Sequence, residues 1–226
     1  MHGTDAGPVP VVDRHRPFAE RELHVFSVRL DRRAAGARGR WAALRAFLGQ
    51  LMDLPEREVP LRRDVYGRPE LEGSSVDIAV CPDERRQFVA LAGGSAVAVS
   101  GHGVPSLLDE EAFLPFSRSE RLFVDEAPEE ERSRRLAQLW TRKEASLRLS
   151  GHGRLALAGE VDALIQHREG RVLLPPASGG GESADPPVAY VYDVPAEPGL
   201  AASVATSSEM RRVFVWQVGD RPPVMA

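Results

Sequence analysis

The sequence predicts an α+β protein built as two similar lobes. One supporting observation is its size and composition, 226 residues of which 42% are hydrophobic and 27% charged, enough to enclose sizeable cores. The other is the order of hydrophobic periods: strand, helix and hairpin, then a long helix followed by further strands. A ligand is expected in the cleft between such lobes.

Taking the elements in order, residues 1–22 are rich in Pro, Gly and charge and read as a flexible arm. The N-terminal lobe is expected over 23–112. In it His24, Phe26, Val28 and Leu30 alternate with Val25, Ser27 and Arg29, as in a half-buried strand. Trp41, Leu44, Leu48 and Leu51 recur at helical spacing, and Pro55 lies beyond the end of that pattern. Gly67-Arg68-Pro69 reads as a turn. Phe88 to Ala92 and Ala96 to Val99, joined by Gly93-Gly94, read as a β-hairpin.

The C-terminal lobe is expected over 113–218. Pro128 and the acidic run Glu129 to Glu131 open a helix, because carboxylates suit a helix N-terminus. Leu136, Trp140, Lys143 and Leu147 share one face of it, and Gly151 and Gly153 stop it. A hairpin is expected about Glu169-Gly170. Strands follow at Val188 to Val194, Leu200 to Thr206 and Val213 to Val218. Residues 175–187, which include Gly179-Gly180-Gly181, read as a flexible loop, and 219–226 as a tail.

Composition also narrows the partners and the compartment. With Lys+Arg 29 against Asp+Glu 33 the net charge is -4, and no basic block offers itself to nucleic acid. No apolar run reaches the roughly 18 to 20 residues that cross a bilayer, and the N-terminus lacks a signal-peptide pattern. The single cysteine, Cys81, excludes an internal disulfide. A cytoplasmic protein with no membrane partner is the expectation. Among the 29 Lys and Arg residues only Lys143 is a lysine. Arg and Lys differ where a compact, rotatable or titratable ammonium is needed, so this position is singled out.

The segment Trp140-Thr141-Arg142-Lys143-Glu144-Ala145-Ser146-Leu147-Arg148-Leu149-Ser150-Gly151-His152-Gly153 resembles the signature of the Sfp-type 4'-phosphopantetheinyl transferases. An aromatic residue precedes Lys-Glu, a basic residue follows the Glu by four, and Gly-x-Gly closes the segment. Gly67-Arg68-Pro69 is similar to that family's Gly-Lys-Pro turn, and Phe116-Ser117 with Glu120 to the segment leading into its helix. The resemblance runs from about Leu23 to Trp216.

It implies a pseudo-two-fold pair of α+β lobes with coenzyme A in the cleft, and a carrier-protein serine as acceptor of the phosphopantetheine arm. Such transfer needs charge neutralisation by Mg²⁺, held in the family by three carboxylates, and a base for the hydroxyl. Glu144 corresponds to one of the three. Arg148, one turn later, can pair with it or reach a phosphate. Arg40 (or Arg38) and Arg68 are the further cofactor-binding candidates, with Lys143 and His152.

The departures from the family are specific. Its strand ends in Gly-x-Asp-x-Glu, but here that stretch reads Ala98-Val99-Ser100-Gly101-His102, and nothing between Glu84 and Asp109 is acidic. Ser100 and His102 stand where two metal ligands are expected. The family's Ser-His phosphate contact aligns with Ala79-Val80. Magnesium is therefore expected to bind weakly or not at all, since imidazole and hydroxyl replace carboxylates. His102 can serve instead as a general base, because an imidazole ordinarily titrates near neutrality. Ser-Gly-His-Gly occurs at both Ser100 to Gly103 and Ser150 to Gly153, which brings His152 in as a second histidine near the cleft.

The sequence thus points to a diverged transferase-like protein. It is either a repurposed enzyme using Glu144, Lys143 or His102 as acid or base, or a pseudoenzyme that only binds coenzyme A or carrier-tethered pantetheine. An active Mg²⁺-dependent transferase modifying acyl or peptidyl carrier proteins, and a non-catalytic synthase partner, are the alternatives. In Lys143 the expectation is an ammonium extending into the cleft beside Glu144, so that Lys143→Arg impairs ligand binding without lowering stability.

Overall fold

The computed structural model describes residues 19–30, 36–83, 86–108, 111–151, 155–164, 170–174 and 187–218. The chain is α+β, and it divides into two compact units, Met1–Ser95 with Arg211–Ala226, and Ala96–Met210. Residues 1–18 of the expected arm, the loop from 175 to 186 and the tail lie outside the described residues, and the arm's expected last residue, Glu22, is already in a strand, paired with Arg212.

In the first unit a four-stranded sheet runs β10-β1-β5-β4, formed by Arg212–Val218, Glu22–Arg29, Arg86–Gly93 and Val76–Pro82. β1 lies parallel to β10, from Glu22↔Arg212 to Val28↔Val218, and antiparallel to β5. An inner strand has neighbours on both edges. In β1 both faces are also covered at the centre, where Val25, Phe26 and Ser27 are all buried, so the strand is more enclosed than its alternation suggests. Helix α1, Ala37–Met52, buries Leu44, Phe47, Leu48 and Leu51 against Phe26, Ile78, Val89 and Leu91 of the sheet. Burying one such side chain contributes about 1.5–3 kcal/mol. Asp53, at φ 51, ends the helix, its N–H returning to Gly49 and Gln50 carbonyls. β2, Leu61–Arg63, and β3, Pro69–Leu71, form a hairpin whose tip contains Gly67 at φ +83.

The second unit has a wholly antiparallel sheet, β6-β9-β8-β7, made of Val97–Gly103, Leu200–Thr206, Val188–Val194 and Arg171–Leu173. Helix α3, Glu129–Leu149, is its centre. One side of α3 sets Ala145 and Leu147 against Val172, Ala189, Val191 and Ala205. Leu136 and Leu139 pack with Phe116, Val124 and Ala163 beside the short helix α2, Arg118–Asp125. α3 therefore has almost no solvent-facing stretch in its C-terminal half, and that is the half carrying the sequence motif.

Two expectations are corrected. The Phe88 to Ala92 and Ala96 to Val99 segments are not a hairpin, since β5 pairs with β1 and β4 whereas β6 pairs with β9. Two apolar runs flanking Gly-Gly carry the hairpin pattern whether the strands pair or part. For the same reason the division falls between Ser95 and Ala96 rather than at 112/113, and β10, placed by sequence in the C-terminal lobe, belongs to the first unit. β7 pairs with β8, while the hairpin expected about Glu169-Gly170 rests on residues 165–169, which lie outside the described residues.

Candidate functional site

Ser100 and His102 are two apart on β6 and so share a face of the sheet, the face on which α3 packs. Glu144 projects from α3 between them. Ser100 Oγ donates to Glu144 Oε2, and His102 Nε2 lies 2.5 Å from the same oxygen. Arg148, one turn along α3, donates through Nη2 to Glu144 Oε1 at 2.7 Å and through Nη1 to the Val99 carbonyl at 3.1 Å. One arginine thus ties the helix to the strand. Ser100 is fully buried, the Glu144 and Arg148 side chains are 15% and 37% exposed, and His102 is 46% exposed.

Desolvation alone would push the Glu144 carboxyl up. Hydrogen bonds from His102 and Ser100, with the Arg148 and His102 charges behind them, outweigh burial and hold it at about 2. Glu144 is therefore a carboxylate at neutral pH, and the shared proton resides on His102 Nε2. In the neutral imidazole that leaves Nδ1 as the bare, accepting nitrogen.

Magnesium fits this donor set poorly. Oε2 already accepts two hydrogen bonds and Oε1 is engaged by a guanidinium, so the carboxylate charge is neutralised from within. A hard, oxygen-seeking cation would have to displace Arg148 and would meet an imidazole nitrogen and a neutral hydroxyl as neighbours.

Lys143, the preceding residue on the helix, turns about 100° away from Glu144 and is wholly buried. Its ammonium lies 2.9 Å from Glu120 Oε2, donates to the Ala158 carbonyl at 2.8 Å and also donates to the Val161 carbonyl. All three donors are spent. The expectation that Lys143 reaches a ligand as a catalytic or cofactor-binding group is overturned: its stem follows the buried edge, but its head remains there too. Glu120 is equally buried and closes a capping box on α2, receiving Ser117 N at 2.8 Å while Ser117 Oγ receives Glu120 N at 3.3 Å. Its other oxygen accepts Ala163 N at 2.7 Å. The pair knots α2, α3 and the 158–163 segment together.

The remaining candidates are dispersed. His152 lies outside the described residues. Arg40 and Arg68 belong to the first unit. Arg40 is half-buried on α1, and its Nε is buried without a hydrogen-bond partner among the described residues. Arg68 sits at the β2–β3 tip, held through Nε by Asp64 Oδ2 at 2.8 Å, with its side chain 66% exposed. Arg38 lines a groove on α1 with Trp41 and Arg63, whose guanidinium lies 4.2 Å from the Trp41 ring centre. Ala79 and Val80 are on β4.

Sequence reasoning missed Glu120 as Lys143's partner. Ser117-x-x-Glu120 is a legible capping signature, but nothing in it announces a second use of the same carboxylate. No family model matches this chain, and no curated protein matches it significantly. Among the described residues no helix is long and apolar enough to cross a membrane.

Proposed function

We propose that this chain is a diverged member of the Sfp-type 4'-phosphopantetheinyl transferase superfamily, with two related lobes, that binds coenzyme A or carrier-tethered pantetheine and has given up Mg²⁺-dependent transfer. The observation that carries the reading is the filling of Glu144's hydrogen-bonding capacity by Ser100, His102 and Arg148. In the family such a carboxylate works with two others to hold the cation. Here Ser100 and His102 stand in place of those two, the motif's own Arg148 occupies the other carboxylate oxygen, and the reading is of an acid–base cluster that works without a metal. An acyl or peptidyl carrier protein is the macromolecular partner this reading requires, and the cytoplasm its compartment.

The test is calorimetric titration of coenzyme A with EDTA and then with excess Mg²⁺, alongside mass spectrometry of several carrier proteins after incubation with enzyme, coenzyme A and Mg²⁺. We expect coenzyme A binding that does not depend on the metal, and carriers of unchanged mass. Efficient addition of phosphopantetheine, lost in Glu144→Gln, would establish the active-transferase alternative instead. The double variant Ser100→Asp with His102→Glu should create Mg²⁺ binding, because both new carboxylates face Glu144 from one strand.

A further inference from the structure

We propose that His102 is a general base, oriented by Glu144, that activates water for hydrolysis of a pantetheine thioester. The inference rests on the preceding reading for its substrate class, and on the geometry of the cluster for its chemistry.

Three residues of this region carry acid–base side chains that sequence singles out, and the structure separates them. Lys143 has no donor left and no exposed surface. Glu144 is half-enclosed, both its oxygens are occupied, and a carboxylate held at about 2 accepts protons poorly at neutral pH. His102 alone combines a fixed orientation with access: Nε2 is pinned on Glu144, and nearly half of the side chain meets solvent. A base so placed, with a carboxylate on one ring nitrogen and the other bare, has its tautomer and ring direction decided before any substrate arrives. Arg148 fixes the carboxylate in turn, anchored on the strand that bears His102.

Water is the nucleophile this arrangement suits. Ser100, the hydroxyl in the cluster, is fully buried and donates to Glu144, so it does not reach a substrate carbonyl. In the step, a water oxygen bonds to the thioester carbonyl carbon while His102 Nδ1 takes its proton. The carbon–sulfur bond then breaks, and the proton passes from His102 to the departing thiolate. The products are a carboxylic acid and the free pantetheine thiol. No oxidant, metal or second substrate enters. His102 touches the reacting water and is the catalytic residue; Glu144 and Arg148 are positioning residues.

The experiment uses the full chain with EDTA present and a panel of coenzyme A thioesters (acetyl, malonyl, longer acyl and aromatic acyl), following thiol release by a chromogenic disulfide. Coenzyme A binding is measured in parallel by calorimetry. We expect release from at least one thioester, a fall on the order of 10²-fold or more in kcat for His102→Ala, and partial recovery when free imidazole is added. Glu144→Gln should lower kcat with little change in KM, since it loosens the ring without touching substrate. His102 is exposed at a strand end, and circular dichroism of His102→Ala verifies that it folds. Coenzyme A binding without thiol release from any thioester, or release undiminished in His102→Ala, overturns this inference and leaves the proposed function standing. Absence of coenzyme A binding together with absence of release overturns both.

Discussion

Lys143 and Glu144 are neighbours on α3, yet one turns its charge into a sealed knot and the other into a half-open cluster. Lys143 meets one buried carboxylate and two carbonyls and has no exposed surface. Glu144 meets three donors of which two, on His102 and Arg148, remain substantially exposed. The helix step of about 100° per residue is what parts them. The difference shows that a sequence motif can join a sealed structural residue and a part-open residue of the candidate site without a gap. Buried pairs are costly to break from one side, whereas part-exposed pairs are screened and adjustable.

The largest effect expected from that contrast is at the knot. Lys143→Met should destabilise the protein by about 3–5 kcal/mol, because Glu120 is left buried without its counter-charge. Adding Glu120→Gln should cost less than the sum of the two single changes. Lys143→Arg should also lower the midpoint, as a planar fork cannot aim three donors into a space packed for an ammonium. Urea unfolding followed by circular dichroism measures all three. A Lys143→Met midpoint equal to wild type would erase the distinction between the two residues.

An intermediate effect belongs to acid. Glu144 is held down from its ordinary 4.5 to about 2, so its contribution is complete above 4.5 and is lost as pH falls from there toward 2. With His102 and Arg148 part-exposed, solvent screening leaves this on the order of 1–2 kcal/mol. Glu144→Gln should lack that component of the acid-induced loss when unfolding is repeated at intervals between pH 5 and 2. Identical pH profiles for variant and wild type would mean the cluster is not pre-formed.

Of similar size is Ser100→Ala, expected to cost about 1–2 kcal/mol because a buried hydroxyl donating to a carboxylate is removed. It should also raise the Glu144 pKa, read from carboxyl NMR shifts. The smallest is Arg148→Lys, below about 1 kcal/mol, as an i,i+4 pair 37% exposed on its cationic side is worth little. A loss at Arg148→Lys exceeding that at Lys143→Met would invert the comparison.

What could be read from the sequence follows from which interactions are local. The 3.6-residue period marked α1 and α3, whose bounds at Ala37–Met52 and Glu129–Leu149 sit between Gly36 and Pro55 and between Pro128 and Gly151, the prolines and glycines that punctuate the pattern. The apolar runs marked β8, β9 and β10 closely. Two-residue spacing put Ser100 and His102 on one face, and four-residue spacing put Arg148 beside Glu144, because both are repeats of the backbone itself. Composition also singled out the lone lysine, though for a ligand-facing role and not for the buried ion pair with Glu120 that it makes.

Only tertiary structure decided which strand each strand joins and what each charge meets. β5 and β6 are adjacent in sequence and lie in different sheets, and β1 takes a parallel neighbour from the far end of the chain. Lys143 found Glu120, twenty-three positions earlier, and Glu144 found His102 across a separation of 42. Pairing between distant segments depends on how whole faces pack, and no spacing rule carries that information. The sequence by itself singled out Ser100, His102, Lys143, Glu144 and Arg148; the packing of α3, one residue facing α2 and the next facing β6, determined which of them stayed open to solvent.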